Sequence, residues 1–425
     1  MKLLVVGGGG REHAMIKKLK ENPDVTEIYA LPGNGGISAD AICVPEIGAK
    51  DLDGIVKFAK SNKIDFTVVA PDDPLALGCV DRLHDAGIPC FGPDAKAARI
   101  ESSKVFAKNL MRKYGIPTAD YRVFTDPEAA VAYLETAKFP IVLKADGLAL
   151  GKGVLIAQSL DEARNAVKTL MRDRVFGAAG NQIVIEEFLT GPEVSVLAFT
   201  DGKAISPMIS SMDHKRVGDG DTGLNTGGMG TVAPNPYYTP AIAQTCMETI
   251  FLPTLAAMRQ EGCPFKGCLY FGLMITPDGP KVIEYNCRFG DPETQVVLPL
   301  LQTDLLTIMQ AVENETLLDL AVDWFDACAA CVILASGGYP ERYETGKPIS
   351  FTAPAASNVT FYHAGDKILD GQLVTSGGRV LGVTAVAPTL KEALSDAYAA
   401  ADTVQFEGKY CRRDIGRRAL SAGMQ

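Results

Sequence analysis

The chain has 425 residues, 47% apolar and 22% charged, with 41 basic against 51 acidic side chains and a net charge of −10. That length is too great for one ordinary core and predicts about two to four domains. The acidic balance argues against a nucleic-acid partner held on a broad basic face, yet it leaves room for small anions gripped by a local nest or a few basic side chains. No apolar run is expected to reach the length of a membrane span. MKLLVVGGGGREHA at the N-terminus reads as a strand entering glycines, not a signal peptide, so the cytoplasm is the expected compartment. The ten cysteines are scattered and read as free thiols, including Cys328 and Cys331, which a strand would point to opposite faces.

Over the first hundred residues strand and helix patterns alternate. LLVVG (3–7), EIYALPG, DFTVVAP and PCFGP read as strands, with helical patterns in REHAMIKKLKENP, DLDGIVKFAKSNKI and GCVDRLHDAG. This order implies a doubly wound parallel sheet, whose ligands bind beyond the carboxyl ends of its strands. The loops there are 7–10, 32–36 and 70–78. From about residue 101 the texture changes. A helix (KVFAKNLMRKYG) leads into an α+β unit that ends in the strand QIVIEEFL, and two antiparallel strands follow around Asp201-Gly202. A glycine-rich polar loop (HKRVGDGDTGLNTGGMG), a helix over 239–260 and two strands joined at 277–279 come next. The last hundred residues read as mostly β with helices packed on them.

Each glycine loop can be tested against a phosphate motif. A dinucleotide fingerprint starting at Gly7 needs glycine where Glu12 stands, and one starting at Gly8 needs it where His13 stands. What survives is a helix N-terminus, whose free N–H groups suit an anion, so Gly8, Gly9 and Gly10 are candidates for a phosphate. KADGLALGKGV (144–154) has the wrong spacing for a Walker loop and lies between two strands. It reads as a flap in which Gly147, Gly151 and Gly153 offer backbone N–H groups and Lys152 an ammonium. Lys144, inward near a strand end, wants an anion. The run Glu186, Glu187, Phe188, Leu189 and the nearby Glu193 suit an adenine edge and ribose hydroxyls.

KVIEYNCRFGDPETQ (281–295) places Glu284, Asn286 and Arg288 two apart, on one face of a strand. Three such groups are costly unless something polar faces them.

Taken in order, Lys104, Lys144, the flap, the hinge 186–189 with Glu193, and Glu284-x-Asn286 resemble the ATP-grasp superfamily. GGGREHA, PGNGG, DHKRVGDGDTGLNTGGMG, EYNCRFGDPETQ, ASGGYP and GGRVLGVTA extend the likeness along the chain to the phosphoribosylamine–glycine ligase (glycinamide ribonucleotide synthetase) family. That resemblance implies three parts: an N-terminal sugar-phosphate domain (1–103), an ATP-grasp domain (104–325) with a small lid subdomain (123–190), and a mostly β C-terminal domain (326–425). It implies ligation of glycine to 5-phosphoribosylamine through glycyl phosphate, with ATP as co-substrate, in purine biosynthesis. Glu284 and Asn286 are implied ligands of Mg²⁺ (or Mn²⁺). Lys104, Lys144 and Lys152 are implied to offset phosphate charge, and Arg288 to face the transferring group. Asp213 and Lys215 are implied to orient glycine and the amine, and Asn34 and Asp72 to help Gly8, Gly9 and Gly10 with the sugar phosphate. The expected partners are these small molecules, with no nucleic acid and no membrane. The chain is expected to be a monomer without further fused activities, apart from a transient contact with the enzyme that makes phosphoribosylamine. Ala70-Pro71-Asp72-Asp73-Pro74 departs from the family's usual Gly-Pro-Glu-Ala-Pro, as do Leu150 in the flap and Met212 before Asp213. The alternative expectation is another ATP-grasp ligase or a carboxylase acting on a purine-pathway ribonucleotide.

Overall fold

The computed structural model describes residues 1–148 and 153–423. Strands β1 (Lys2–Gly7), β2 (Glu27–Pro32), β3 (Ile42–Cys43), β4 (Phe66–Val69) and β5 (Cys90–Phe91) form a parallel sheet in the order β3-β2-β1-β4-β5. The interior of β1 and all of β4 are buried, as a sheet covered on both faces requires. The order reverses between β1 and β4, so the loops after those strands open into one crevice. Helices α1 (Gly10–Leu19), α2 (Leu52–Ser61), α3 (Asp72–Ala76), α4 (Cys79–Asp85) and α5 (Ala95–Ser102) connect and follow the strands. Two differ from expectation. The segment 70–78 holds the short helix α3, with Asp72 as its first residue. Helix α5 was not expected: its alanines, Ala97 and Ala98 among them, bury a face too small to show as hydrophobic periodicity.

Helix α6 (Lys104–Tyr114), capped by the Ser103 side chain, starts the central part. Strands β6 (Tyr121–Phe124), β7 (Ile141–Ala145), β8 (Val154–Ala157) and β9 (Ile183–Glu187) make an antiparallel sheet in the order β6-β9-β7-β8, backed by α7 (Pro127–Leu134) and α8 (Leu160–Val167). This lid has its own core around Leu143, Leu170, Ile183 and Ile185. A second antiparallel sheet has the order β11-β10-β16-β17, with β10 (Glu193–Asp201), β11 (Ile205–Pro207), β16 (Lys266–Thr276) and β17 (Gly279–Asn286). Glu193 therefore begins β10 and does not lie in the preceding turn.

The polar segment after β11 is structured. It carries β12 (Met212–Asp213), the hairpin β13 (Arg216–Gly218) and β14 (Thr222–Asn225), and β15 (Gly230–Ala233). Helix α9 (Pro240–Cys246) runs through one π-helical turn into α10 (Leu252–Gln260). Contrary to expectation, Pro240–Gln260 meets the length and hydropathy of a membrane span (21 residues, mean hydropathy 1.2). Here it packs Cys246, Ile250, Phe251 and Met258 into the core against β16 and β17. After α11 (Thr294–Val297) and α12 (Leu305–Glu313), strands β18 (Cys328–Ala335), β19 (Ser350–Phe351), β20 (Val359–His363), β21 (Asp366–Leu369), β22 (Gln372–Thr375) and β23 (Arg379–Ala387) build the C-terminal part under α13 (Leu390–Thr403). One sheet, β12-β15-β18-β23-β20, combines strands from both sides of residue 325, so the central and C-terminal parts share a core. The ten cysteines are free thiols.

Candidate active site

The site forms along β17. Glu284 pairs with Gly272 and Val282 with Leu273, so Ile283 is an unpaired bulge residue. The bulge reverses which side chains face outward. Val282 and Tyr285 enter the core, while Glu284 and Asn286 stay half-exposed on the other face. A Cβ on Gly272 would stand 2.9 Å from Cγ of Glu284, so the glycine makes room for the acid. Lys215 donates from Nζ to Glu284 Oε1 at 3.0 Å. That ammonium, with Lys144 and Lys104 beyond it, holds the Glu284 carboxyl down at about 2.

Lys104 begins α6 and donates to the carbonyl of Gly147, at the base of the flap, at 2.9 Å. Burial lowers its ammonium below the usual lysine value, against the pull of Glu284. Asp146 anchors the same flap base, accepting from the Val105 N–H at 3.0 Å and from Gln182. Gly153 is buried at the other side of the flap; Gly151, Lys152 and Leu150 lie outside the described residues. Lys144 does not stand free. It pairs with Glu186 and donates to the carbonyl of the bulge residue Ile283 at 2.9 Å.

The Glu186 carboxylate turns inward, between Lys144 and Lys108. Burial works to raise its carboxyl, but the two lysines prevail and hold it below the ordinary value. Glu187 is exposed, accepting from the Asp120 N–H at 3.2 Å and from Lys281. Phe188 and Glu193 are also exposed, and Leu189 is half-buried.

Arg288 lies just past the end of β17 and donates from Nη2 to Glu101 at 3.0 Å and from Nη1 to the carbonyl of Phe289. Glu101, on α5, also accepts the Cys287 N–H at 2.7 Å. Burial raises the Glu101 carboxyl despite the guanidinium. The Nε of Arg288 is buried with no partner. Across the cleft, Asp213 accepts the His214 N–H at 2.7 Å, and burial with Glu293 nearby raises its carboxyl well above the usual range. Glu293 accepts from the Tyr270 hydroxyl at 3.1 Å, and Tyr270 bonds Ser195 at 2.8 Å.

At the N-terminal loop, Gly9 caps α1 and its N–H donates to Glu12 at 2.7 Å. Glu12 is in turn fixed by Arg11, which donates to the Phe289 carbonyl at 3.2 Å. A Cβ on Gly8 would meet the carbonyl of Gly33 at 2.3 Å, and one on Gly10 would meet Gln295 at 2.7 Å. Asn34 departs from expectation. Its amide donates to the carbonyls of Gly8, His363 and Ala364, and its oxygen accepts the Ile37 N–H. With its donors spent on backbone, it is a strut between the N- and C-terminal parts and has no hydrogen left for a phosphate. Asp72 bonds the N–H of Asp73 at 3.1 Å at the start of α3. Sequence reasoning also missed Arg379, which donates to Gly227 O, Asp291 O and Asp291 Oδ2, tying two site loops to the C-terminal part.

Among the described residues no three His, Cys, Asp or Glu groups are spaced to hold a metal ion. The pair Glu284 and Asn286 nonetheless fits a hard divalent cation that keeps several waters: one ionised carboxylate and one amide oxygen on a common face.

Three family models match the chain: the N domain of phosphoribosylglycinamide synthetase at 1–101, its ATP-grasp (A) domain at 102–294 and its C domain at 329–418. The chain is 47% identical over 425 residues to the phosphoribosylamine–glycine ligase of Chlorobaculum tepidum, covering 99% of this chain and 100% of that relative. It is also 47% identical to the bifunctional purine biosynthetic protein PUR2,5 of Pichia angusta, covering 98% of this chain but only 54% of that longer relative. The crystal structure of the phosphoribosylamine–glycine ligase of Thermotoga maritima superposes with a TM-score of 0.86 at 36% identity, covering 98% of this chain and 100% of that one.

Proposed function

The chain belongs to the phosphoribosylglycinamide synthetase family, ATP-dependent ligases of purine biosynthesis, and from that premise we propose how its residues divide the work of joining glycine to 5-phosphoribosylamine. A carboxylate is too poor an electrophile to take an amine directly. A glycine carboxylate oxygen therefore attacks the γ-phosphorus of ATP, and ADP leaves. The amine then attacks the acyl carbon of glycyl phosphate, loses a proton, and expels inorganic phosphate. Positioning and charge neutralisation supply most of such a rate.

Lys104 and Lys144 line the nucleotide cleft, Lys104 at the base of the flap against Gly147. Glu284 and Asn286 hold Mg²⁺ (or Mn²⁺), which when bound neutralises phosphate charge. Lys215 lies beside that carboxylate and meets the glycine end of the reaction, with Asp213 opposite. Arg288 keeps its bond to Glu101, and its guanidinium charge at the end of β17 serves the transferring group. Gly8, Gly9 and Gly10 present the start of α1 to the sugar phosphate, at the crevice between β1 and β4.

One observation carries this reading: an ionised Glu284 and Asn286 share a face with Lys215 at hydrogen-bond distance, beside two lysines that gather phosphate charge. The test is phosphate release with ATP, Mg²⁺, glycine and phosphoribosylamine formed in situ, omitting each in turn. Release should need all four. Release that ignores glycine but needs bicarbonate would replace the ligase with a carboxylase.

A further inference from the structure

Two lysines surround one carboxylate at the joint between the lid and the body. Lys108, on α6, is only 3% exposed and Glu186, on β9, only 4%. The Lys108 ammonium lies 2.5 Å from Glu186 Oε2, and Lys144, on β7, contacts the other oxygen. Lys108 also donates to the Thr118 hydroxyl at 2.8 Å, and that hydroxyl donates to the carbonyl of Val282 at 2.7 Å. Lys144 donates to the next carbonyl, that of Ile283. Both lysines thus reach consecutive residues of β17 just before Glu284, one directly and one through Thr118.

Such a cluster is poor value as a source of stability. Buried ion pairs generally contribute no more than well-packed apolar side chains would, and here two ammoniums face one carboxylate. Burial lowers the Lys108 ammonium to about 8 even with Glu186 beside it. What the cluster does supply is a fixed place for the Lys144 ammonium, with net positive charge left at the cleft.

We propose that Lys108 and Glu186 are positioning residues for the nucleotide: Lys108 fixes the Glu186 carboxylate, and Glu186 fixes the Lys144 ammonium in register with the strand that bears Glu284 and Asn286. The proposal rests on reading that cleft as the ATP site. Neither residue touches the nucleotide phosphates; both act through Lys144.

The test uses the full chain and four variants: Lys108→Met, Glu186→Gln, the double variant, and Lys144→Met. Each single change at 108 or 186 should raise the KM for ATP about tenfold and leave the KM for glycine within about twofold. The double variant should be no worse than Glu186→Gln alone, because the two residues act in series. An unchanged KM for ATP alongside a lower melting temperature would make the cluster merely structural and overturn the proposal. Effects that multiply in the double variant would overturn it as well. Should Lys108→Met fail to fold, the isosteric Glu186→Gln decides alone. If Lys144→Met leaves the KM for ATP unchanged, the reading of the cleft itself fails and the proposal with it. If Lys144→Met raises that KM while the other two do not, only the proposal falls.

Discussion

Lys215 Nζ stands 3.0 Å from Glu284 Oε1, so the carboxylate proposed to receive a divalent cation already has a positive partner. The arrangement has two sides. It keeps the acid ionised at any ordinary pH, and it makes the ammonium a competitor for the same oxygen.

Replacing Lys215 by Met removes the competitor and also the group proposed to meet glycine. The half-saturating Mg²⁺ concentration should therefore fall while kcat drops by at least about tenfold. Rates measured across a Mg²⁺ titration test this; an unchanged midpoint and a normal kcat would show the ion pair to be incidental.

Glu284→Ala should abolish Mg²⁺-dependent turnover and leave the fold intact. The side chain is only half-buried, and its loss opens no cavity in the core. Circular dichroism and phosphate release on one preparation decide the matter, and normal turnover would remove Glu284 from the metal assignment.

Arg288→Lys keeps the charge but loses the planar fork that reaches Glu101 and Phe289 O together. The kcat should fall at least about tenfold, since one ammonium cannot replace two directed N–H groups. The urea midpoint should also drop, because Glu101 keeps a buried carboxyl with a poorer partner. A loss of stability with full activity would make Arg288 a structural residue only.

Adjacent glycines of the N-terminal loop should behave differently. Gly8→Ala places a Cβ 2.3 Å from backbone of Gly33 and should destabilise the domain. At Gly9 the nearest obstacle is not backbone but the end of the Glu12 side chain, at 2.9 Å. Gly9→Val should leave the protein folded and raise the KM for the phosphorylated amine but not for ATP. The reverse pattern of KM values would put ATP in the N-terminal crevice.

His214 gives a pH signature. Burial, with Arg412 adding to it, lowers its imidazole to about 4. The ring joins the carbonyl of Gly230 to the N–H of Gly416. An unfolded chain binds the proton near pH 6.5, so its contribution is complete above that pH and is lost as pH falls toward 4. The loss amounts to about 3 kcal/mol. Urea midpoints of the native chain should therefore fall more steeply from pH 6.5 to 4 than those of His214→Gln; parallel lines would rule this titration out.

Much of this was legible in the residue order. Parallel strands announced themselves through short apolar runs spaced by helical patterns, and the polar face of β17 through Glu284 and Asn286. What escaped notice depends on partners remote in sequence. Lys108 looks like any solvent-facing lysine of an amphipathic helix, because its carboxylate is at position 186. Asn34 suggested a phosphate ligand because its true acceptors sit at 363 and 364. The shared sheet across residue 325 was hidden too, since β16, β17 and four α-helices come between β15 and β18 in the chain. A buried polar group is legible only when both of its partners are.

The unpaired Ile283 shifts the strand's alternation by one place, so that Val282 and Glu284 point opposite ways though only two positions apart. The same bulge releases a carbonyl from the ladder for Lys144 to take. An engineer who excised Ile283 to straighten the ladder would still find Glu284 across from Gly272. Lys144, however, would keep Glu186 but lose its tie to the strand, and nucleotide geometry would come apart from cation geometry in a protein whose sheet looked tidier than before.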